Sequence, residues 1–261
     1  MFDILRHTSV KYGKLIIPPK KAEETVSKST RLVIIDHPGG EGTKNRFSRS
    51  GSATLFSRSG EKYIALCRHQ LHHMGEPNPD DINMLRILSE DSQYRAIPTQ
   101  RAFWLKNPNG EEAGDILILK VDTGHDHWRP IDAPHFIPLA SRKNKVADGT
   151  IAVGLPSSYS TFSYENYENP DFEAIHITRE NILCDFDKVF ASDVSFFHRC
   201  IIEDKERDLD GFSGGGIFTL ARNRDAKNPE WEIFLDGIIT RGGNGFIYYI
   251  CWNYLNKAEF G

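Results

Sequence analysis

At 261 residues, the chain is long enough for a pair of small β units sharing one interface or for a single large β domain. With 32 basic and 36 acidic residues and a formal charge of −4, it carries no electrostatic footprint for nucleic acid. No stretch approaches the roughly 18 apolar residues that span a bilayer, and the opening Met1 to His7 has neither a long apolar core nor a small-residue cleavage site. A soluble, cytoplasmic protein with no nucleic-acid or membrane partner is therefore expected.

In chain order, the first strand-like cores lie within 14–21 and at 31–35, followed by a Gly-rich connection over 38–50. Residues 1–47 read as an N-terminal extension, either an edge strand laid across the rest of the fold or a regulatory arm. Gly51-Ser52-Ala53-Thr54-Leu55-Phe56 and the run 62–67 read as strands, and the second ends at Arg68-His69-Gln70, which sets an imidazole at the mouth of a strand. Pro79-Asp80 and the spacing of Ile82, Leu85, Ile87 and Leu88 predict a short loop helix over 80–90. Asp115 heads a strongly apolar strand running to Val121. A carboxylate there needs hydrogen bonds or a facing imidazolium to stay charged. Further short, β-branched or aromatic strands are expected at 151–155, 215–220, 231–240 and 246–251.

The most informative segment is Asp210-Gly211-Phe212-Ser213-Gly214-Gly215. Glycines on both sides leave the serine hydroxyl and the neighbouring N–H groups unobstructed, as an acyl-transfer nucleophile requires. No histidine follows His198, so the Ser, Asp, His order of the α/β-hydrolases is excluded and the partners lie upstream. His69, Asp115 and Ser213 are separated by 46 and 98 residues, against about 45 and about 93 in a serine-protease triad of the same order.

On these motifs the chain resembles the trypsin/chymotrypsin-like serine peptidases, in particular their bacterial, intracellular members. The segments at 51–56, 63–69, 115–120 and 211–215 carry the resemblance, with looser echoes at 152–156 and 237–243, over roughly residues 48 to 256. It implies an all-β, chymotrypsin-like double β-barrel: a first barrel over 48–140 carrying His69 and Asp115, and a second over 141–261 carrying Ser213. The closing stretch 252–260 is similar to the family's C-terminal helix. The implied activity is endopeptidase hydrolysis through an acyl-enzyme, with His69 as base, Asp115 orienting it, and the N–H groups of Gly211 and Ser213 as oxyanion hole. Thr240, Arg241 and Gly242 match the segment that pairs with the substrate backbone as an added strand. The pocket floor falls on residues 205–210, which carry charges of both signs.

Departures from the family pattern are informative. Phe212 stands where secreted members have the aspartate that pairs with a freed N-terminus, so that activation switch is absent. Restraint would then come from narrow specificity, a protein partner or a pocket assembled on binding. Cys67, Cys184, Cys200 and Cys251 miss the family's usual disulfide positions, in keeping with a reducing compartment. His69, His72, His73, His125 and His127 offer imidazoles for zinc without a supporting ligand pattern, so neither metal nor cofactor is expected. The expected partner is a protein or peptide substrate, together with an activating or restraining protein. The alternative is a catalytically silent trypsin-like binding module.

Overall fold

In a computed structural model of the chain the described residues are 9–37, 47–74, 82, 84–90, 95–106, 112–141, 144–159, 161–163, 174–186, 197–223 and 230–258. The first of them form two short strands, β1 (Val10–Tyr12) and β2 (Leu15–Ile17), paired antiparallel. A 3-10 turn at Pro19–Lys21 and helix α1 (Ala22–Ser27) follow.

The first unit consists of β3 (Thr30–Asp36), β4 (Phe47–Arg58), β5 (Glu61–Cys67), β6 (Leu85–Ile87), β7 (Thr99–Lys106) and β8 (Glu112–Val121). Their order is β6-β3-β4-β5-β8-β7, a rolled sheet that does not close on itself among the described residues. Strand β9 (Ile137–Pro138) lies parallel to β4 where the chain crosses to the second unit. There β10 (Lys145–Gly154), β13 (Glu180–Phe186), β14 (Phe197–Ile202), β17 (Phe246–Cys251), β16 (Trp231–Gly243) and β15 (Gly216–Asn223) close a six-stranded barrel through the β15–β16 pairing. A separate hairpin pairs β11 (Thr161–Ser163) with β12 (Ala174–His176), and helix α2 (Trp252–Lys257) ends the described chain. The molecule is thus all-β, a closed barrel and a half-barrel with a short C-terminal helix.

Both faces of β5 and β8 are buried, which is why they read as apolar runs rather than alternating ones. On β8, Leu117, Leu119 and Val121 enter the core of the first unit, while Ile116 and Ile118 join the cluster that continues into the second barrel. On β4, Ala53 and Leu55 point into the first core, and Phe56 lies on the other side. A one-residue slip of either strand would exchange these two sets, so register is strongly fixed.

Two expectations are corrected. The boundary at residue 47 separates strands that belong together, because β3 lies between β4 and β6, with Val33 opposite both Gly51 and Ile87. The stretch before it is tied to the second barrel: β1 runs parallel to β16, Val10 opposite Trp231, and Val10 and Tyr12 are buried. The helix expected over 80–90 is a strand at Leu85–Ile87, where the exposed edge of β3 supplies backbone partners that local helical spacing cannot reveal. Residues 80, 81 and 83 of that stretch lie outside the described residues.

Candidate active site

Strand β5 ends in a 3-10 turn, Arg68–Met74, which carries His69. Its neighbour β8 pairs Ile116 with Cys67, so Asp115 falls one step beyond the last pair, level with the start of that turn. The carboxylate uses both oxygens. Oδ1 accepts the backbone N–H of His69 at 2.7 Å, and Oδ2 is hydrogen-bonded to Nδ1 of the ring. With Nδ1 donating to Asp115, Nε2 of the neutral imidazole is left as the acceptor.

The serine loop is a chain of tight turns. Phe212 N–H donates to the Leu209 carbonyl (3.1 Å) and Gly215 N–H to the Phe212 carbonyl (2.8 Å). Gly211 sits at φ +88°, and a Cβ there would lie 2.3 Å from the Leu155 carbonyl oxygen. At Gly214, φ +81°, a Cβ would meet the Ser52 carbonyl oxygen at 1.9 Å. Neither position admits a side chain. Between them Phe212 is buried in the second barrel's apolar cluster, its ring over Gly154. Among the described residues, neither the Gly211 nor the Ser213 N–H donates to another group of the chain. The Ser213 hydroxyl donates to the Thr240 carbonyl at 3.1 Å and makes no hydrogen bond to His69.

Polar groups from the first unit hold this loop by its carbonyls. Ser52 donates its backbone N–H to Ser213 (3.0 Å) and its hydroxyl to Gly211 (2.6 Å), while that hydroxyl accepts the Leu155 N–H (2.9 Å). Thr54 donates to Gly214 (2.8 Å), and Gln70 to Ser213 (3.1 Å). Sequence reasoning did not single out Ser52, Thr54 or Gln70 as functional. The available signal was the alternation Ser52, Thr54, Phe56, which puts the two hydroxyls on the strand face that meets the second barrel.

Cys67 is buried against the same junction, its thiol donating to the Ile239 carbonyl at 3.2 Å. Burial, and after it the Asp115 carboxylate, pushes this thiol well above its ordinary range. Cys67, His69 and Asp115 bring donor atoms within 4.8 Å of one another. A metal there would need the Cys67 thiolate, which both influences oppose. His125 and His127 stack edge to face, their ring centres 5.0 Å apart, in an exposed turn. The side chains of His72 and His73 lie outside the described residues.

Thr240, Arg241 and Gly242 lie near the end of β16. Thr240 falls at a bulge in the pairing with β17, and its hydroxyl donates to Tyr248 (3.2 Å), whose ring lies beneath the Arg241 guanidinium. Pairing with β15 stops at Ile238. Among the described residues, Arg241 to Gly243 therefore have a strand neighbour on one side alone. In the segment before the serine, Leu209 is buried against Gly242, Arg207 pairs with Glu180, and Asp208 and Asp210 are exposed.

No protein-family model matches the chain, and no curated protein matches it either. A solved chain from a study of coupled folding and binding of the intrinsically disordered Sesbania mosaic virus VPg protein is similar at 10% identity and TM-score 0.39. The likeness covers 87% of this chain and 88% of that one. The fold assignment rests on strand pairing rather than on that likeness. No helix among the described residues is long and apolar enough to cross a membrane.

Proposed function

We propose that the chain is a trypsin/chymotrypsin-like serine endopeptidase. The observation that carries this reading is the two-point grip of Asp115 on His69, made where the loop of Ser213 docks. A carboxylate that binds both the ring and the backbone N–H of a half-exposed histidine fixes its tautomer and orientation, as a general base requires. Rotating the Ser213 hydroxyl from the Thr240 carbonyl toward His69 Nε2 prepares attack. As Oγ bonds to the scissile carbonyl carbon, Nε2 takes its proton. The oxyanion is received by the Gly211 and Ser213 N–H groups. Collapse breaks the C–N bond and the leaving amine takes the proton from His69. Water then adds to the acyl-enzyme with His69 again as base, releasing the acid and restoring Ser213.

The one-sided edge at Arg241 to Gly243 suits an extended peptide that pairs as an added strand. Buried Phe212 leaves no counter-ion for a new N-terminus. The chain is then active as made, or switched by a restraining or activating partner. Four buried free thiols fit a reducing compartment such as the cytoplasm.

One observation favours a second reading, a silent docking module: the hydroxyl is turned to Thr240 rather than to His69. Exposure to a fluorophosphonate probe, followed by intact-mass measurement and peptide mapping, separates the two. The peptidase acquires one adduct on Ser213, lost in Ser213→Ala and strongly slowed in His69→Ala. An unlabelled but folded wild type leaves the docking module.

A further inference from the structure

We infer that Gln70 is the positioning residue that sets the Ser213 loop against the His69 turn. The inference rests on the peptidase reading above. Gln70 directly follows His69 in the chain, yet its side chain turns inward and is 4% exposed. Its planar amide is engaged at both ends. Oε1 accepts the Cys67 N–H at 2.6 Å, at the last residue of β5 before the turn. Nε2 faces three carbonyls, those of Ser50 (2.9 Å), Ser52 (3.0 Å) and Ser213 (3.1 Å). One side chain thus joins the strand that leads into the histidine turn, the strand that braces the loop, and the main chain of Ser213 itself.

Only glutamine fits these contacts. An acceptor must face β5 while two N–H donors face a cluster of carbonyls. Glutamate offers no donor when charged, and methionine offers the length without either function. Room is made by Gly51, where a Cβ would lie 2.5 Å from Nε2 and where φ is +113°. Ser52 N–H and Nε2 share the Ser213 carbonyl, so losing Gln70 leaves one bond to hold it. A displacement on the order of 1 Å at a reacting atom lowers a rate by up to about a hundredfold, whereas binding of the probe before it reacts does not use Gln70, whose side chain is buried.

The test compares wild type, Gln70→Met and Gln70→Glu, each at a temperature where circular dichroism finds it folded. Three quantities are measured: the limiting rate and half-saturating concentration of phosphonylation by a fluorophosphonate, carbethoxylation of His69 by diethyl pyrocarbonate, and amide hydrogen exchange over 211–215. The expected result for Gln70→Met is a limiting rate lowered about tenfold to a hundredfold with half-saturation and His69 modification unchanged, and faster exchange at Gly214 and Gly215. Gln70→Glu keeps the acceptor toward Cys67 and loses the donors toward Ser213, so it is slowed as much. A folded Gln70→Met that labels at the wild-type rate, or whose exchange over 211–215 is unchanged, overturns the inference. If wild type is never labelled, the peptidase reading fails by itself, and exchange alone decides whether Gln70 holds the loop.

Discussion

The two units of this molecule position the proposed catalytic residues by different means. In the half-barrel, His69 and Asp115 are brought together by the pairing of adjacent strands β5 and β8, so sheet register does the placing. In the closed barrel, Ser213 sits in an irregular loop held by Ser52, Thr54 and Gln70 of the other unit and by Ile239 of its own. A base can be aimed by regular structure. On the proposed reading, a serine that must expose its hydroxyl and two N–H groups cannot use them in a ladder, so groups of the other unit satisfy the loop's carbonyls instead.

The largest expected effect erases the distinction between the units. Ser213→Ala and His69→Ala each lower peptide hydrolysis by about 10⁴-fold or more, and the double variant is scarcely worse than either, because the groups act as one. Steady-state assays on matched, folded samples check this; additive losses in the double variant would separate the residues. Next is the anchor of the loop in its own barrel. Phe212→Ala removes a fully buried ring and is expected to cost about 3–5 kcal/mol of stability, read from chemical denaturation. Thr54→Val, which deletes one buried hydroxyl bonded to the Gly214 carbonyl, is expected to cost about 1–3 kcal/mol. A smaller loss than at Phe212 is the result that keeps the loop seated mainly by its own barrel.

The smallest effect is on the seam between the units, where Tyr12 (3.2 Å) and Ser29 (2.6 Å) both donate to the His135 carbonyl. Burial, and then the Arg31 guanidinium, pushes the His135 imidazole down to about 4. The unfolded chain takes up that proton near about pH 6.5, whereas the folded chain resists until near 4. Stability is therefore full above about pH 6.5 and is lost as pH falls toward 4. Melting temperatures across this range should fall less in His135→Gln than in wild type; parallel curves would sink the assignment.

Much of the candidate site was legible in the sequence because it lies in local signals: a histidine ending an apolar strand, a carboxylate heading another, a serine between glycines, all in order. The strands around them followed from short β-branched runs. Membership of β3 in the first sheet did not, since a strand's partner is set by distant residues, here Gly51 and Ile87. The segment around Leu85 misled for the same reason, its apolar spacing fitting a helix until the edge of β3 is known. Ser52 and Thr54 read only as part of a strand, and the second barrel is what turns their face into a buried seam.

The parallel pairing of Val10 with Trp231 also bears on the protein's birth. These strands are separated by 231 − 10 = 221 residues, and at about 5–20 residues per second of synthesis the earlier one emerges roughly 10–45 s ahead of its partner. Val10 and Tyr12 spend that interval without the strand that finally covers them. The half-barrel can assemble around β3 to β8 while translation continues, but β1, made before them, is among the last to find its place.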